Sequence, residues 1–195
     1  MTDFSSFITA GGLSSRMGID KAWLEIDGRP MIEHVIAAIS PLTNRVAIIA
    51  NRPEYESLGY PVFRDTEIGV GPLEAIRTAL SNASTPRVVL VACDLPFVTT
   101  DLFKFLLEAS ANHYATVPIG PDDKLEPLCA VYHREALEEV NDLIRDGQRK
   151  VRQLFDRVPT RLIAFDEVAH LSKSHRFFEN INTPEDYSKA RGSKP

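Results

Sequence analysis

Phe7-Ile8-Thr9-Ala10-Gly11-Gly12-Leu13-Ser14-Ser15-Arg16-Met17-Gly18-Ile19-Asp20-Lys21 is the stretch on which the fold turns. Phe7 to Ala10 is a short apolar run of strand character, and it stops at two adjacent glycines. Paired glycines let a backbone approach an anion closely and aim successive amides at it. Ser14 and Ser15 add hydroxyl donors, Arg16 a planar cationic fork and Lys21 a point charge. Together these are the parts of a triphosphate cradle. The spacing is not that of a Walker loop, GxxxxGK[ST], nor of the dinucleotide fingerprint GxGxxG.

Outward from that loop the chain alternates apolar runs with amphipathic stretches. Met31 to Leu42 sets Met31, Ile32, Val35, Ile36 and Ile39 on one helical face. Arg45 to Ala50, Pro61 to Phe63 and Arg87 to Ala92 read as strands. Pro72 to Leu80 reads as a helix with proline in its first turn, and Thr100 to Ala109 as a helix capped by Thr100. Ala115 to Pro118 and Leu128 to Tyr132 are further strands. Arg134 to Arg145 and Arg149 to Arg157 are helices, and Arg161 to Phe165 is a strand. Thr183 to Ala190 starts as a helix should, with Thr183 as cap, Pro184 at the first position and Glu185 and Asp186 at the positive end of the dipole.

Strands alternating with helices predict an α/β fold, a Rossmann-like, mostly parallel sheet with helices on both faces. In such sheets ligands bind beyond the carboxyl ends of the strands. The loops after Ala10, Ala50, Phe63 and Ala92 are therefore where a site is expected.

The chain's 195 residues fit one domain, 1–195, with a nucleotide-binding half over about 1–98 and an acceptor-binding half over about 99–190. Its net charge of −5 shows no basic surplus for a nucleic acid. Cys93 and Cys129 sit in apolar runs as small buried hydrophobes, a pattern that suits a reducing compartment. The first residues carry no cationic leader pattern, and their apolar stretch breaks at Gly11-Gly12, too soon for a membrane span. These features predict a cytoplasmic protein with no membrane partner. His34, His113, His133, His170 and His175 show no metal-ligand spacing.

The loop from Thr9 to Lys21, continued by Ala22-Trp23-Leu24 and by Gly28-Arg29-Pro30-Met31-Ile32, resembles the signature LAGGxSxRMGxDKxxL of the molybdenum cofactor guanylyltransferases, the MobA-like NTP transferase family. Further landmarks follow in order: Asp65 at a strand end, Gly71-Pro72-Leu73-Glu74-Ala75 (resembling GPLAG), Cys93-Asp94-Leu95-Pro96 (CDxP), Glu126-Pro127-Leu128, Gly147-Gln148-Arg149 and Asn180-Ile181-Asn182-Thr183-Pro184 (NxNTP). The resemblance spans roughly Phe7 to Tyr187. Thr9 stands in place of the usual Leu, Ala75 in place of the second Gly, and Ile49 where a polar residue near the base is expected.

The resemblance implies a fold of the nucleotide-diphospho-sugar transferase type. It implies transfer of GMP from GTP to molybdopterin cofactor with release of pyrophosphate. It assigns Thr9, Ala10, Gly11, Gly12, Lys21, Asp65 and Asp94 to the nucleotide, with Arg16, Lys21 and Asp94 catalytic. Asp94 also follows an apolar strand, where a carboxylate is costly unless paired or metal-bound. It is the expected ligand of Mg²⁺, which takes one or two carboxylates with phosphate oxygens and water. Asn180, Asn182 and Arg149 are the candidates for the acceptor, and a molybdoenzyme or its chaperone is the implied recipient. Two alternatives stay open. One is another nucleotidyltransferase, for molybdopterin and CTP or for a sugar or polyol phosphate. The other is a non-catalytic nucleotide-binding adaptor for a molybdoenzyme.

Overall fold

The computed structural model describes residues 3–11, 20–67 and 70–192. Nine strands and seven α-helices appear among them. In chain order they are β1 (Phe4–Thr9), β2 (Glu25–Ile26), β3 (Arg29–Pro30), α1 (Met31–Ile39), β4 (Val46–Ile49), β5 (Val62–Phe63), α2 (Pro72–Asn82), β6 (Arg87–Ala92), α3 (Thr100–Ala109), β7 (Ala115–Pro118), β8 (Cys129–His133), α4 (Leu137–Arg145), α5 (Arg152–Arg157), β9 (Thr160–Ile163), α6 (Phe165–Val168) and α7 (Pro184–Gly192). Seven strands form one sheet in the order β5-β4-β1-β6-β8-β7-β9, and β2 and β3 form a separate hairpin. Strand β8 runs antiparallel to both its neighbours, and the other four pairings are parallel.

The strict alternation of a strand divides the core into two layers. Phe4 and Ile8 of β1 and Val89 and Val91 of β6 face α1 and α3, where Ile32, Val35, Ile39, Leu102, Phe103 and Leu106 close over them. Phe7 of β1 and Val88 and Leu90 of β6 face the other way. There Leu73, Ile76 and Leu80 of α2 pack with Val140, Leu143 and Ile144 of α4 and Leu154 of α5. Each central strand is buried on both faces, which is why β6 reads as an unbroken apolar run. Both cysteines are free and buried, as their apolar surroundings predict.

Several boundaries differ from the sequence reading. Strand β1 begins at Phe4, because Ser5 is satisfied inside the fold by the Thr85 hydroxyl at 2.9 Å. Thr99, not Thr100, caps α3: its hydroxyl accepts from the Leu102 amide, and the Thr100 hydroxyl donates instead to the Ala38 carbonyl at 2.7 Å. Residues 134–136 form a separate 3₁₀ turn before α4. Strand β9 ends at Ile163, and Phe165 opens α6. Thr183 does cap α7. Its hydroxyl accepts from the Asp186 amide while the Asp186 carboxylate accepts from the Thr183 amide, a reciprocal capping pair.

Candidate active site

Strand β1 is followed by a crossover to β4 on one side of it, and β6 by a crossover toward β8 and β7 on the other side. The chain therefore reverses direction between β1 and β6, the switch point at which open α/β sheets bind ligands. Thr9 and Ala92 are register partners at the ends of these strands, and the Cys93 amide donates to the Thr9 carbonyl at 2.9 Å. Gly11 and Asp94 therefore leave the sheet side by side. Gly11 has φ +76°, a left-handed conformation suited to glycine. A cleft of about 740 Å³ opens there, lined by the loops after β1, β4, β5 and β6. These are the four loops that the sequence singles out.

One flank of the cleft gathers residues from distant parts of the chain. The Lys21 ammonium lies 3.0 Å from Asp94 Oδ2 and donates to Asn182 Oδ1 at 2.6 Å. Lys21 belongs to a 3₁₀ turn, Lys21–Trp23, whose cap is the Asp20 carboxylate accepting from the Ala22 amide. The segment bearing Asn182 is pinned to the β6 loop, because the Ile181 amide donates to the Asp94 carbonyl at 3.1 Å. Asn182 was expected on an acceptor side apart from Lys21. Here the two touch, and only a position 161 residues away in sequence hid it.

The opposite flank carries Asp65. Its Oδ1 accepts from the Thr78 hydroxyl of α2 at 2.8 Å, and burial raises its pKa above the ordinary carboxylate value. Glu74, also on α2 and 2% exposed, accepts from the amides of Thr66 and Glu67 at 2.8 and 3.0 Å. Its other oxygen lies 2.6 Å from Arg77, which also pairs with Glu67. Glu74 thus fastens the Asp65 loop to α2. It went unnoticed in the sequence because a glutamate in a helix ordinarily reads as a solvated surface residue.

Thr9, Ala10, Gly11, Lys21, Asp65, Asp94 and Asn180 all line the cleft. Gly12, Ser14, Ser15 and Arg16 lie outside the described residues. Ile49, expected near the base, also lines it, as does Ala75. Glu126 stands at its edge with a carboxyl pushed up to about 7, by burial first and then by the charges of Asp122 and Asp94. Arg149 is not brought in. It is exposed, its guanidinium donates to the neighbouring Gln148 carbonyl, and it lines no part of the cleft. The signals for it are the Gly147-Gln148-Arg149 landmark and the basic cluster of Arg149, Lys150 and Arg152, and such a cluster equally marks a solvated face.

The donor set suits Mg²⁺. Asp94 Oδ1 is buried with no hydrogen-bond partner among the described residues, whereas Oδ2 holds Lys21. A carboxylate oxygen left over at the mouth of an anion site offers one ligand, and Mg²⁺ takes the rest from phosphate and water. No group of three or more potential metal ligands occurs among the described residues, so these residues supply no closed cage.

A cleft at the switch point, with a Gly turn, a lysine and an aspartate converging on it, defines a nucleotidyltransferase of the nucleotide-diphospho-sugar transferase fold. Residues 6–162 match the family described as MobA-like NTP transferase domain, and the chain belongs to that family. It is 34% identical over 189 residues to a probable molybdenum cofactor guanylyltransferase of Carboxydothermus hydrogenoformans, covering 97% of this chain and 95% of the relative. It is also 34% identical to the molybdenum cofactor guanylyltransferase of Vibrio parahaemolyticus, covering 95% and 93%. Among solved structures it superposes on the molybdopterin-guanine dinucleotide biosynthesis protein A of Archaeoglobus fulgidus with TM-score 0.81 and 27% identity, covering 96% of each chain.

Proposed function

We propose that this chain transfers a guanylyl group from GTP to molybdopterin cofactor, forming the guanine dinucleotide and releasing pyrophosphate. The observation that carries the reading is the convergence of Lys21, Asp94 and Asn182 at the switch-point cleft, in a chain whose relatives of matching length are named molybdenum cofactor guanylyltransferases. The attacking group is a phosphate oxygen, already an anion, so no strong general base is needed. Catalysis reduces to positioning and charge neutralisation.

Lys21 supplies a cation on the side where pyrophosphate develops charge. Asp94 would hold Mg²⁺ through its free oxygen, and the ion would neutralise phosphate charge there. Asp65, fixed by Thr78, and the start of α2 at Gly71-Pro72 bound the nucleotide end of the cleft. Asn182 holds the Lys21 ammonium, and Asn180 lines the cleft beside Glu126. The product's recipient is a molybdoenzyme or its chaperone. No helix among the described residues is long and apolar enough to cross a membrane. With two free buried cysteines, a cytoplasmic setting fits this reading.

The test is pyrophosphate release from GTP, CTP and ATP, each with Mg²⁺ and molybdopterin. Turnover with GTP well above the other two supports guanylyl transfer. Preference for CTP assigns the chain to cytidylyl transfer, and no turnover with any of the three removes the enzymatic reading. GTP·Mg²⁺ is also expected to raise the melting temperature more than the other nucleotides, since binding to the folded state stabilises it.

A further inference from the structure

We propose that Tyr55 is the positioning residue that aims Lys21 into the cleft, acting through Asp20 and Trp23. The inference rests on reading the cleft as a triphosphate site.

Tyr55 lies in the 3₁₀ segment Pro53–Leu58 after β4 and is fully buried. Its hydroxyl donates to Asp20 Oδ2 at 2.7 Å. Its ring stacks on Trp23, with centroids 5.5 Å apart and planes at 28°. Asp20 and Trp23 are the cap and the last residue of the turn that carries Lys21. One aromatic ring therefore grips that turn at both ends. The same ring edge closes against Gly11, where an added Cβ would lie 3.5 Å from Tyr55 Cε2, so the turn is also referenced to the end of β1.

The turn needs an outside hold. A single 3₁₀ turn has poor hydrogen-bond geometry and little stability of its own. The Lys21 side chain loses considerable rotamer freedom when its ammonium is fixed between two acceptors. Asp20 is the linking part. One oxygen caps the turn through the Ala22 amide at 3.2 Å, and the other takes the Tyr55 hydroxyl, with Arg52 at 3.4 Å from the solvent side. Burial and the Asp20 carboxylate both push the Tyr55 phenol far above its ordinary pKa, so it remains a donor. Tyr55 does not itself line the cleft, although Gly11 and Asp20 beside it do; its proposed effect on a ligand runs through Lys21.

Tyr55→Phe keeps the ring and removes only the hydroxyl. It is expected to lower GTP·Mg²⁺ affinity about tenfold, the usual scale for a buried hydrogen bond to a charged group. In a Lys21→Ala background the same substitution is expected to change affinity by less than about twofold, because the route ends at Lys21. Equal losses in both backgrounds, or no loss in the unaltered background, overturn the proposal. If the unaltered chain binds no GTP, the functional reading fails instead, and Tyr55 is judged without nucleotide. Trp23 is the sole tryptophan, so acrylamide quenching of its fluorescence reports the turn directly. Quenching is expected to increase in Tyr55→Phe, and unchanged quenching then overturns the proposal.

Discussion

The two flanks of the cleft are built on opposite principles. On the Asp65 flank, polar groups are matched within a few turns of chain: Asp65 with Thr78, Glu74 Oε1 with two amides, and Glu74 Oε2, which has no hydrogen-bond partner among the described residues, through its ion pair with Arg77. On the Asp94 flank, partners come from three remote segments, and a buried carboxylate oxygen lacks a partner among the described residues. A locally matched network is rigid and holds shape. A flank with an unmatched anion and a half-open ion pair is ready to exchange its contacts for a ligand's. Under the proposed function, the contrast would separate recognition, at the Asp65 end, from chemistry, at the Asp94 end.

The hardest test of that contrast is Asp94→Asn, which removes charge from the reactive flank. Turnover is expected to fall by about 10³ or more, roughly 4 kcal/mol of transition-state stabilisation, with melting temperature little changed. A near-normal rate of pyrophosphate release would make Asp94 structural and erase the contrast. Glu74→Ala attacks the shape-holding flank. It strands two amides and removes one carboxylate from Arg77, so about 3 kcal/mol of stability is expected to be lost in urea unfolding. KM for GTP should rise while kcat in the residual folded fraction changes little. A large fall in kcat without loss of stability would place chemistry on this flank as well.

Asn182→Ala sharpens the comparison at its seam. Because Asn182 Oδ1 accepts directly from Lys21, the variant is expected to weaken GTP as well as molybdopterin, each by about 1–2 kcal/mol. Separate titrations decide it, and unchanged GTP affinity would show that the Lys21 contact carries no binding energy.

The smallest effect belongs to Glu126. Its carboxyl is raised to about 7 in the fold, so the folded state keeps a proton that the unfolded chain releases near its ordinary value. Glu126 therefore costs no stability below about pH 4, and its cost grows as pH rises toward 7. Glu126→Gln is expected to gain on the order of 1 kcal/mol above pH 7, discounted for its partial exposure, and nothing near pH 4. Unfolding curves at the two pH values that shift equally would remove the claim.

How much of this was legible before folding depended on the range of the interactions. Strand β6 and the extent of helix α3, though not its cap, could be read directly, since an apolar run and a helical period are local patterns. The glycine turn and Asp94 were legible because each directly follows such a run. Strand β1 was cut short because Ser5-Ser6 reads as a break, and only distant partners, the hydroxyls of Ser84 and of Thr85 80 residues on, make the buried Ser5 acceptable. Tyr55 and Glu74 gave no signal, since a tyrosine or a glutamate acquires its role only from what folds against it. Arg149 shows the reverse: its charge was visible in the sequence, and its exposure away from the cleft was not.

The pinning of Asn182 to Lys21 and of Ile181 to Asp94 also orders events during synthesis. Gly11, Lys21, Asp65 and Asp94 leave the ribosome first, and Asn182 follows Asp94 by 88 residues, since 182 − 94 = 88. At translation speeds of roughly 5–20 residues per second, that interval is about 4–18 s. Until it ends, Lys21 has Asp94 but not its second acceptor, and neither Ile181 nor Ala190 of α7 has yet joined Ile26 and Met31. A nascent chain can thus assemble its nucleotide-side strands while the seam of the cleft is still missing, and a later-made segment completes it.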